Sequence, residues 1–338
     1  MTAMMKAIRQ YAFGGPEVLR YEDAPRPELQ AGEVLVRVHA VGLNPPDWYL
    51  RDGYKMLPPE WQPKVEFPVI LGTDISGVVE AIASDVSGFK VGDEVYSMVR
   101  FPSGLAGGSR AYAEYVSVPA SQVAIKPASI DHIHAAAAPM SLLTAWQFLI
   151  DLGHNETNPL QPHQHQPVAL QGKTVVVVGA AGGVGHFALQ LAKWQGARVI
   201  AVASGEHEAL LRGYGADEFI DYTRIVAEDV VRDIDLVVDA VGGPTSSRFL
   251  KTLKRGGALF PVFPLGFSGA DEAEKRGVTV SATQVRSNGA QLAKLAELLD
   301  AGAIRASIDS TYTLADAASA HARAAKGHIA GKIVLKVR

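Results

Sequence analysis

The stretch that most constrains this chain is Val175-Val176-Val177-Val178-Gly179-Ala180-Ala181-Gly182-Gly183-Val184-Gly185. Four consecutive β-branched residues suit a strand buried on both faces, as in a parallel sheet covered by helices. The glycines permit a tight turn and close approach of a pyrophosphate. The helix predicted over 183–195 then offers free N–H groups and a positive dipole end to that anion. Ending at Gly185, the pattern reads A-x-G-x-x-G, with Ala180 in place of the first glycine. A glycine pattern alone is weak evidence. Here a strand precedes it, a helix follows, and a second strand is predicted at 198–203. A dinucleotide held by Ala181, Gly182, Gly183, Val184 and Gly185 is the reading that follows.

The alternation continues after that motif. Helix is predicted at 206–214 and 246–253, and strand at 218–220, 236–239, 258–263 and 278–282. Such alternation predicts a parallel sheet with helices on both faces. Helices over 289–301 and 314–325 and a strand over 332–337 end the chain. The first 130 or so residues read differently. Strand-like runs at 34–41, 77–82, 90–96 and 111–118 are punctuated by Gly and Pro at short spacing, as a barrel-like unit requires. Helical signal begins at Ala135 and runs to Leu149. A loop at 153–171 is unusually long for a compact domain. Its His163 and His165 have no carboxylate beside them, so a solvated insertion is a better reading than a metal site.

The end of the second strand discriminates between cofactors. An NAD site usually places Asp or Glu there to hold the ribose hydroxyls. This chain has Ala203-Ser204-Gly205, and a small neutral residue leaves room for a 2′-phosphate. NADP(H) is therefore favoured over NAD, with Arg212, Arg224 and Tyr222 the nearest partners for the phosphate and Glu206 an unhelpful neighbour. Val241, after the strand at 236–239, is expected beside the adenosine or ribose. Phe263 ends a strand at the carboxyl edge, where ligands of open parallel sheets bind.

Composition removes several alternatives. There are no cysteines, which excludes a disulfide scaffold, a cysteine zinc site, an iron–sulfur cluster and a cysteine nucleophile. Net charge is −3, with no long basic run, so nucleic acid is not an expected partner. No apolar run is long enough for a membrane span or a signal peptide. A cytoplasmic location is the default expectation. None of the tyrosines has Lys four residues later, and no HExxH, GxSxG or GxxxxGK[ST] is present. His39, His186, His321 and His328 are assigned no role.

Several further segments carry a family resemblance. They are Val41-Gly42-Leu43-Asn44-Pro45-Pro46-Asp47, Leu71-Gly72-Thr73-Asp74-Ile75-Ser76-Gly77-Val78-Val79, and Gly88-Phe89-Lys90-Val91-Gly92-Asp93-Glu94-Val95-Tyr96. To them belong Gly108-Ser109-Arg110-Ala111-Tyr112-Ala113-Glu114-Tyr115 and Gly327-His328-Ile329-Ala330-Gly331-Lys332-Ile333-Val334-Leu335. With the glycine motif, they make the chain resemble, over nearly its whole length, the zinc-independent medium-chain dehydrogenases/reductases of the quinone oxidoreductase, or zeta-crystallin-like, group. The resemblance implies an α/β chain with two domains. One is a GroES-like, partly open β-barrel catalytic domain from residues 1–138 with 283–338. The other is a Rossmann doubly wound parallel sheet from 139–282. The nicotinamide is expected in the cleft, and a homodimer through the sheet edge at 278–285.

Zinc members of that family need Cys, His and carboxylate ligands to polarise an oxygen. Here Asn44 falls in the first-ligand region and Thr73-Asp74 where His-Glu would lie, so no metal is expected. The resemblance places Asn44 and Asp47 beside the nicotinamide and substrate, Tyr49 as a hydroxyl for a developing oxyanion or a proton relay, and Tyr54 nearby. Trp48 and Trp61 are candidates for the wall of an apolar pocket. Thr144 is expected under the nicotinamide. Asn288 and Lys332, from the returning chain, are candidates to close over the cofactor. The implied activity is NADPH-dependent hydride transfer to a small molecule, a quinone or the C=C bond of an α,β-unsaturated carbonyl. The competing readings are an enoyl-thioester reductase and an NADPH-binding protein with a structural or RNA-binding role.

Overall fold

Strands near the N-terminus set the position of everything that follows. The computed structural model describes residues 3–105, 110–157 and 164–338. It divides into two compact units, one of residues 1–143, 286–302 and 306–338, the other of 144–285 and 303–305.

In the first unit β1 (Met4–Arg9) pairs antiparallel with β2 (Arg20–Pro25). The long strand β3 (Glu33–Gly42) runs from a β-branched, buried centre into α1 (Pro45–Asp52). Pro45 and Pro46 open that helix, where a missing N–H costs nothing. Gly53 closes it in the left-handed region. Next come β4 (Asp74–Ile82), β5 (Glu94–Met98), β6 (Tyr115–Pro119) and β7 (Val123–Ile125). Two helices follow, α2 (His132–Ala136) and α3 (Pro139–Leu149), and the division between units falls inside α3.

The second unit is the parallel sheet foreseen from the valine run. Its elements are β8 (Thr174–Val178), α4 (Gly183–Trp194), β9 (Arg198–Ala203), α5 (Glu208–Gly213), β10 (Glu218–Asp221), α6 (Ala227–Val230), β11 (Ile234–Asp239), β12 (Leu253–Pro261), α7 (Ala270–Arg276) and β13 (Thr279–Val280). The strand order is β10-β9-β8-β11-β12-β13, all parallel. That is the doubly wound order of dinucleotide-binding sheets, with its switch point between β8 and β11.

The chain then returns to the first unit through α8 (Gly289–Asp300), β14 (Ile308–Thr313), α9 (Ala317–Ala325) and β15 (Lys332–Lys336). There a seven-stranded sheet runs β14-β15-β3-β4-β5-β7, with β6 also paired to β3. Its core gathers Val34, Val36, Val38, Val41, Ile75, Val95, Tyr112, Val116 and Leu335.

Several local readings need correction. Residues 244–252 form a 3-10 segment, not an α-helix. Gly242 and Gly243 both have positive φ before Pro244, so the entry is a bent turn. The fifth strand of the parallel sheet ends at Pro261, so Phe263 lies beyond it. Strands β1, β2 and β14 and the charged helix α7 carry little alternation or apolar period, which is why the sequence reading passed over them. The motif residues Gly108 and Ser109 and the insertion's His163 lie outside the described residues. His165 is buried, with its ring nitrogens 2.9 Å from Ser281 Oγ and 2.8 Å from the Phe148 carbonyl oxygen. The insertion is anchored at His165, which is a packing residue, while its described neighbours Asn155, Glu156, Thr157, Gln164 and Gln166 are exposed.

Candidate active site

Strand register brings three polar residues to one point in the first unit. Val334 of β15 faces Gly42 of β3, and Asp74 of β4 faces the same Gly42. Counting outward along the antiparallel β15, Lys332 comes level with Asn44. All three side chains are buried. Asn44 Nδ2 donates to Asp74 Oδ2 at 2.9 Å and to Thr73 Oγ1 at 3.3 Å. Lys332 Nζ donates to the Leu43 carbonyl at 2.7 Å and to Asn44 Oδ1, and stands 3.8 Å from Asp74 Oδ2. The backbone N–H of Met140, at the start of α3, donates to both Asp74 oxygens at 3.0 and 3.1 Å. Burial pushes the Asp74 carboxyl up to about 6 despite Lys332, and pulls the Lys332 ammonium down.

A second, linked chain runs from α1. Asp47 Oδ2 accepts from the Asn44 N–H at 2.9 Å and from the Tyr112 hydroxyl at 3.0 Å. Tyr112 Oη lies 3.0 Å from His321 Nε2 on α9, and His321 Nδ1 lies 2.9 Å from Arg51 Nη1. Gly72, at φ 91°, makes this possible, since a Cβ there would overlap the Tyr112 ring. Burial raises the Asp47 carboxyl to about 7 and lowers the His321 imidazole to about 3. A small half-open hollow is lined by Pro46, Asp47, Tyr54, Thr73 and Phe101 among others. Tyr54 holds a positive φ of 55° directly after α1. Tyr49 is half-buried on α1, and burial raises its phenol.

Register thus gathers Asn44 and Lys332 with Asp74, and Asp47 joins them through the start of α1. Both polar ends of the Asn44 carboxamide are engaged within the protein, so it acts as a linker between Lys332 and Asp74. Asn288 caps α8, its Oδ1 accepting from the Gln291 N–H at 3.0 Å. Thr144 is buried in α3. The sequence reading missed Asp74 as a functional partner, Tyr112 and His321. Their signal was present but weak: Asp74 and Tyr112 sit in the motifs that carry the resemblance, and His321 has no local pattern at all.

The second unit carries the glycine loop. Gly182 precedes α4, so Gly183, Val184 and Gly185 form its first turn, whose N–H groups have no partner within the helix. A Cβ at Gly185 would overlap the Gly179 carbonyl oxygen, and one at Gly182 would lie 3.3 Å from it. Val241 borders Gly179, where its Cγ2 would stand 2.9 Å from an added Cβ. The Val241 and Gly242 N–H groups donate to Asp239 Oδ1, and Phe263 accepts from the Gly243 N–H at 2.7 Å. Tyr222 joins the end of β9 through its N–H to the Ala203 carbonyl, 3.1 Å away, which sets it next to Ser204. Ser204 Oγ donates to Glu206. Arg212 is engaged by Glu208 at 2.8 Å on the exposed face of α5, and Arg224 stands 3.4 Å from Asp221. Ala181, Gly182, Gly183, Val184 and Gly185 make a cradle that a pyrophosphate fits.

The residues do not fit a catalytic zinc. Asn44 turns its N–H donors toward Asp74, and the Lys332 ammonium already occupies the carboxylate's surroundings. Among the described residues no group of three His, Cys, Asp or Glu side chains is arranged to hold a metal ion. No helix among them is long and apolar enough to cross a membrane.

Comparison with known proteins agrees with this architecture. Residues 30–128 match the alcohol dehydrogenase GroES-like domain and residues 214–335 the zinc-binding dehydrogenase model. The chain is 34% identical over 360 residues to the mitochondrial NAD(P)H oxidoreductase RTN4IP1 of Mus musculus, covering 96% of this chain and 87% of that one. It is 32% identical over 343 residues to the chloroplastic NADPH-dependent alkenal/one oxidoreductase of Arabidopsis thaliana, covering 98% and 79%. Among solved structures, the quinone oxidoreductase of Coxiella burnetii superposes with a TM-score of 0.84 at 32% identity, covering 99% of this chain and 100% of the other.

Proposed function

This chain belongs to the medium-chain dehydrogenases/reductases, in the quinone oxidoreductase group, and from that membership we propose that it is a zinc-independent, NADPH-dependent reductase of quinones or of the C=C bond of α,β-unsaturated carbonyls. One observation carries the reading. Where a metal-dependent relative would need ligands, this chain buries an Asn44–Lys332–Asp74 cluster whose donors and acceptors satisfy one another. A site without a Lewis acid suits acceptors that are already electron-poor, because the developing negative charge needs only hydrogen bonding and a proton.

The bound dinucleotide supplies a hydride. The residues proposed to hold its pyrophosphate are Ala181, Gly182, Gly183, Val184 and Gly185, with the α4 dipole favouring the anion. Ser204 and Tyr222 are proposed at the adenosine ribose. A neutral Ser204 where an acidic residue would select NAD supports NADPH, with Arg212 and Arg224 as the proposed cations for its 2′-phosphate. Val241 and Phe263 are proposed to flank the ribose. On the acceptor side the proposal rests on Asp47, Tyr54 and Thr73 in the hollow, with Tyr49 on the same helix. We further propose a homodimer through the edge at 278–285, where, among the described residues, β13 leaves one side of its backbone without a neighbouring strand.

The test is the rate of NADPH and NADH oxidation with a benzoquinone and with a small enone, before and after chelator treatment. NADPH turnover unchanged by the chelator is expected. Loss of activity on chelation, restored by zinc, would overturn the reading. So would a clear preference for NADH.

A further inference from the structure

We propose that Asp47 is the acid that delivers the proton accompanying hydride transfer, and that Tyr112, His321 and Arg51 are positioning residues that hold it in place. This rests on the reductase reading above. Asp47 borders the hollow, and both of its hydrogen bonds converge on Oδ2, from the Asn44 N–H and the Tyr112 hydroxyl. A carboxylic proton is therefore best placed on Oδ1.

The donors behind Oδ2 have one direction. Arg51 always donates, so at 2.9 Å it makes His321 Nδ1 an acceptor. The neutral imidazole then carries its hydrogen on Nε2 and gives it to Tyr112 Oη, 3.0 Å away. The Tyr112 hydrogen is left to point at Asp47 Oδ2. The Arg51 side chain is itself fixed by its Nε to the Gly14 carbonyl at 3.1 Å. Trp48 covers His321 edge-on, its ring centre 6.5 Å away. The chain links α1, Tyr112 in the segment before β6, and α9, so it is a product of tertiary structure rather than a local cap.

Other charged and titratable groups face Asp47 from each packed element. Asp74 on β4 favours its protonated form, Lys332 on β15 its ionised form, and Tyr54 and Tyr112 are neutral phenols. Burial outweighs these and leaves the carboxyl titrating near neutrality, where a general acid is most effective. In the step itself, the acceptor's β-carbon gains the hydride and the carbonyl oxygen takes the displaced electron pair as an enolate. The O–H bond at Asp47 Oδ1 breaks, and its proton goes to the enolate. Asp47 remains as carboxylate and regains a proton from water at the mouth of the hollow. With a quinone the oxyanion formed is protonated in the same way.

The pH dependence of kcat/KM with both acceptors tests this, together with an infrared titration of the resting protein. In the wild type, kcat/KM should be level in mild acid and fall tenfold per pH unit above about 7. Asp47→Asn should lower kcat by about 100-fold and abolish that limb. Tyr112→Phe removes one donor to the carboxylate. It should move the limb upward by about one pH unit while leaving the KM for NADPH unchanged. His321→Gln should move it in the same direction by less. The infrared carboxylic band that vanishes near pH 7 should be missing in Asp47→Asn, where the Asp74 band titrating near 6 remains, and should move with Tyr112→Phe. If Asp47→Asn does not fold, the Tyr112→Phe shift decides. Wild-type turnover whose limb ignores both substitutions overturns the acid assignment. A titrating Asp47 band in a protein that reduces neither acceptor overturns the reductase reading instead.

Discussion

Replacing single glycines of the α4 loop separates what the loop needs in order to fold from what it needs in order to bind. A Cβ at Gly185 would overlap the Gly179 carbonyl oxygen and stand 2.8 Å from Ala180 Cα, where 3.4 Å begins ordinary contact. Both neighbours are backbone, so the loop itself must move. Such overpacking costs about 1–3 kcal/mol, and the better helix propensity of Ala returns about 1 kcal/mol of it. The net cost of about 0–2 kcal/mol means that Gly185→Ala should lower Tm by up to about 8 °C, at about 2–4 °C per kcal/mol. Gly182→Ala is different. Its Cβ would lie 3.3 Å from the same oxygen, a contact relieved by a few tenths of an ångström. It should fold with a near-normal Tm, yet it puts a methyl group where the pyrophosphate must approach. NADPH affinity should drop at least tenfold, or about 1.4 kcal/mol. Gly213→Ala, at the end of α5 with nothing near its added Cβ, is the control: it should leave NADPH affinity unchanged and hold or slightly raise Tm. The assays are thermal unfolding without ligand and NADPH titration by calorimetry. Wild-type NADPH affinity in Gly182→Ala, or a wild-type Tm and affinity in Gly185→Ala, would refute the reasoning.

Other outcomes follow from the buried network and the strand end. His321 has a folded pKa of about 3 against 6.5 when unfolded, so the stability it contributes is present above 6.5 and is lost as pH falls toward 3. Between pH 7 and 5 that loss is about 2 kcal/mol. Asp47, raised to about 7, pulls the opposite way, so the quantity to read is the difference between wild type and His321→Gln in urea melts. An identical pH dependence in the two would contradict the assignment. Lys332→Met leaves Asp74 and the Asn44 Oδ1 without their cation and should cost about 3–5 kcal/mol at neutral pH. The cost should shrink below about pH 6, where Asp74 protonates; a denaturation midpoint within 1 kcal/mol of wild type at pH 7.5 would count against the ion pair. Ser204→Glu should raise the KM for NADPH at least tenfold and leave NADH use intact, measured by initial rates. An unchanged NADPH KM would remove Ser204 from the ribose site.

Much of the second unit was legible in the residues themselves. Parallel strands buried on both faces need unbroken apolar runs, and Val175–Val178 can do little else. The glycine loop was legible because backbone packed that closely admits no side chain, a constraint acting within a few residues. The same held for the chain's punctuation into short strands before residue 130. Local signal failed where local signal is weak. The polar strand β14 and the charged helix α7 owe their conformation to neighbours, and the proline and paired positive-φ glycines at 242–244 gave a 3-10 segment in place of a helix.

The candidate site divides along the same line. Asn44 and Asp47 stand in one short motif, so the sequence alone determined that they lie together at the start of a helix. Residue type also determined that no cysteine chemistry occurs here and that the strand end at Ser204 is neutral. What only the tertiary structure decided is who meets them. Lys332 reaches Asn44 across 288 residues because β15 pairs with β3 in one register. His321 reaches Tyr112 across 209 residues. Nothing near His321 in the chain announces that role, since α9 is a run of alanines whose buried face is set by what it packs against. The perturbed protonation of Asp47, Asp74 and His321 has the same origin. A side chain's charge preference depends on the water it loses, and the amount lost is fixed by packing between segments that the sequence keeps far apart.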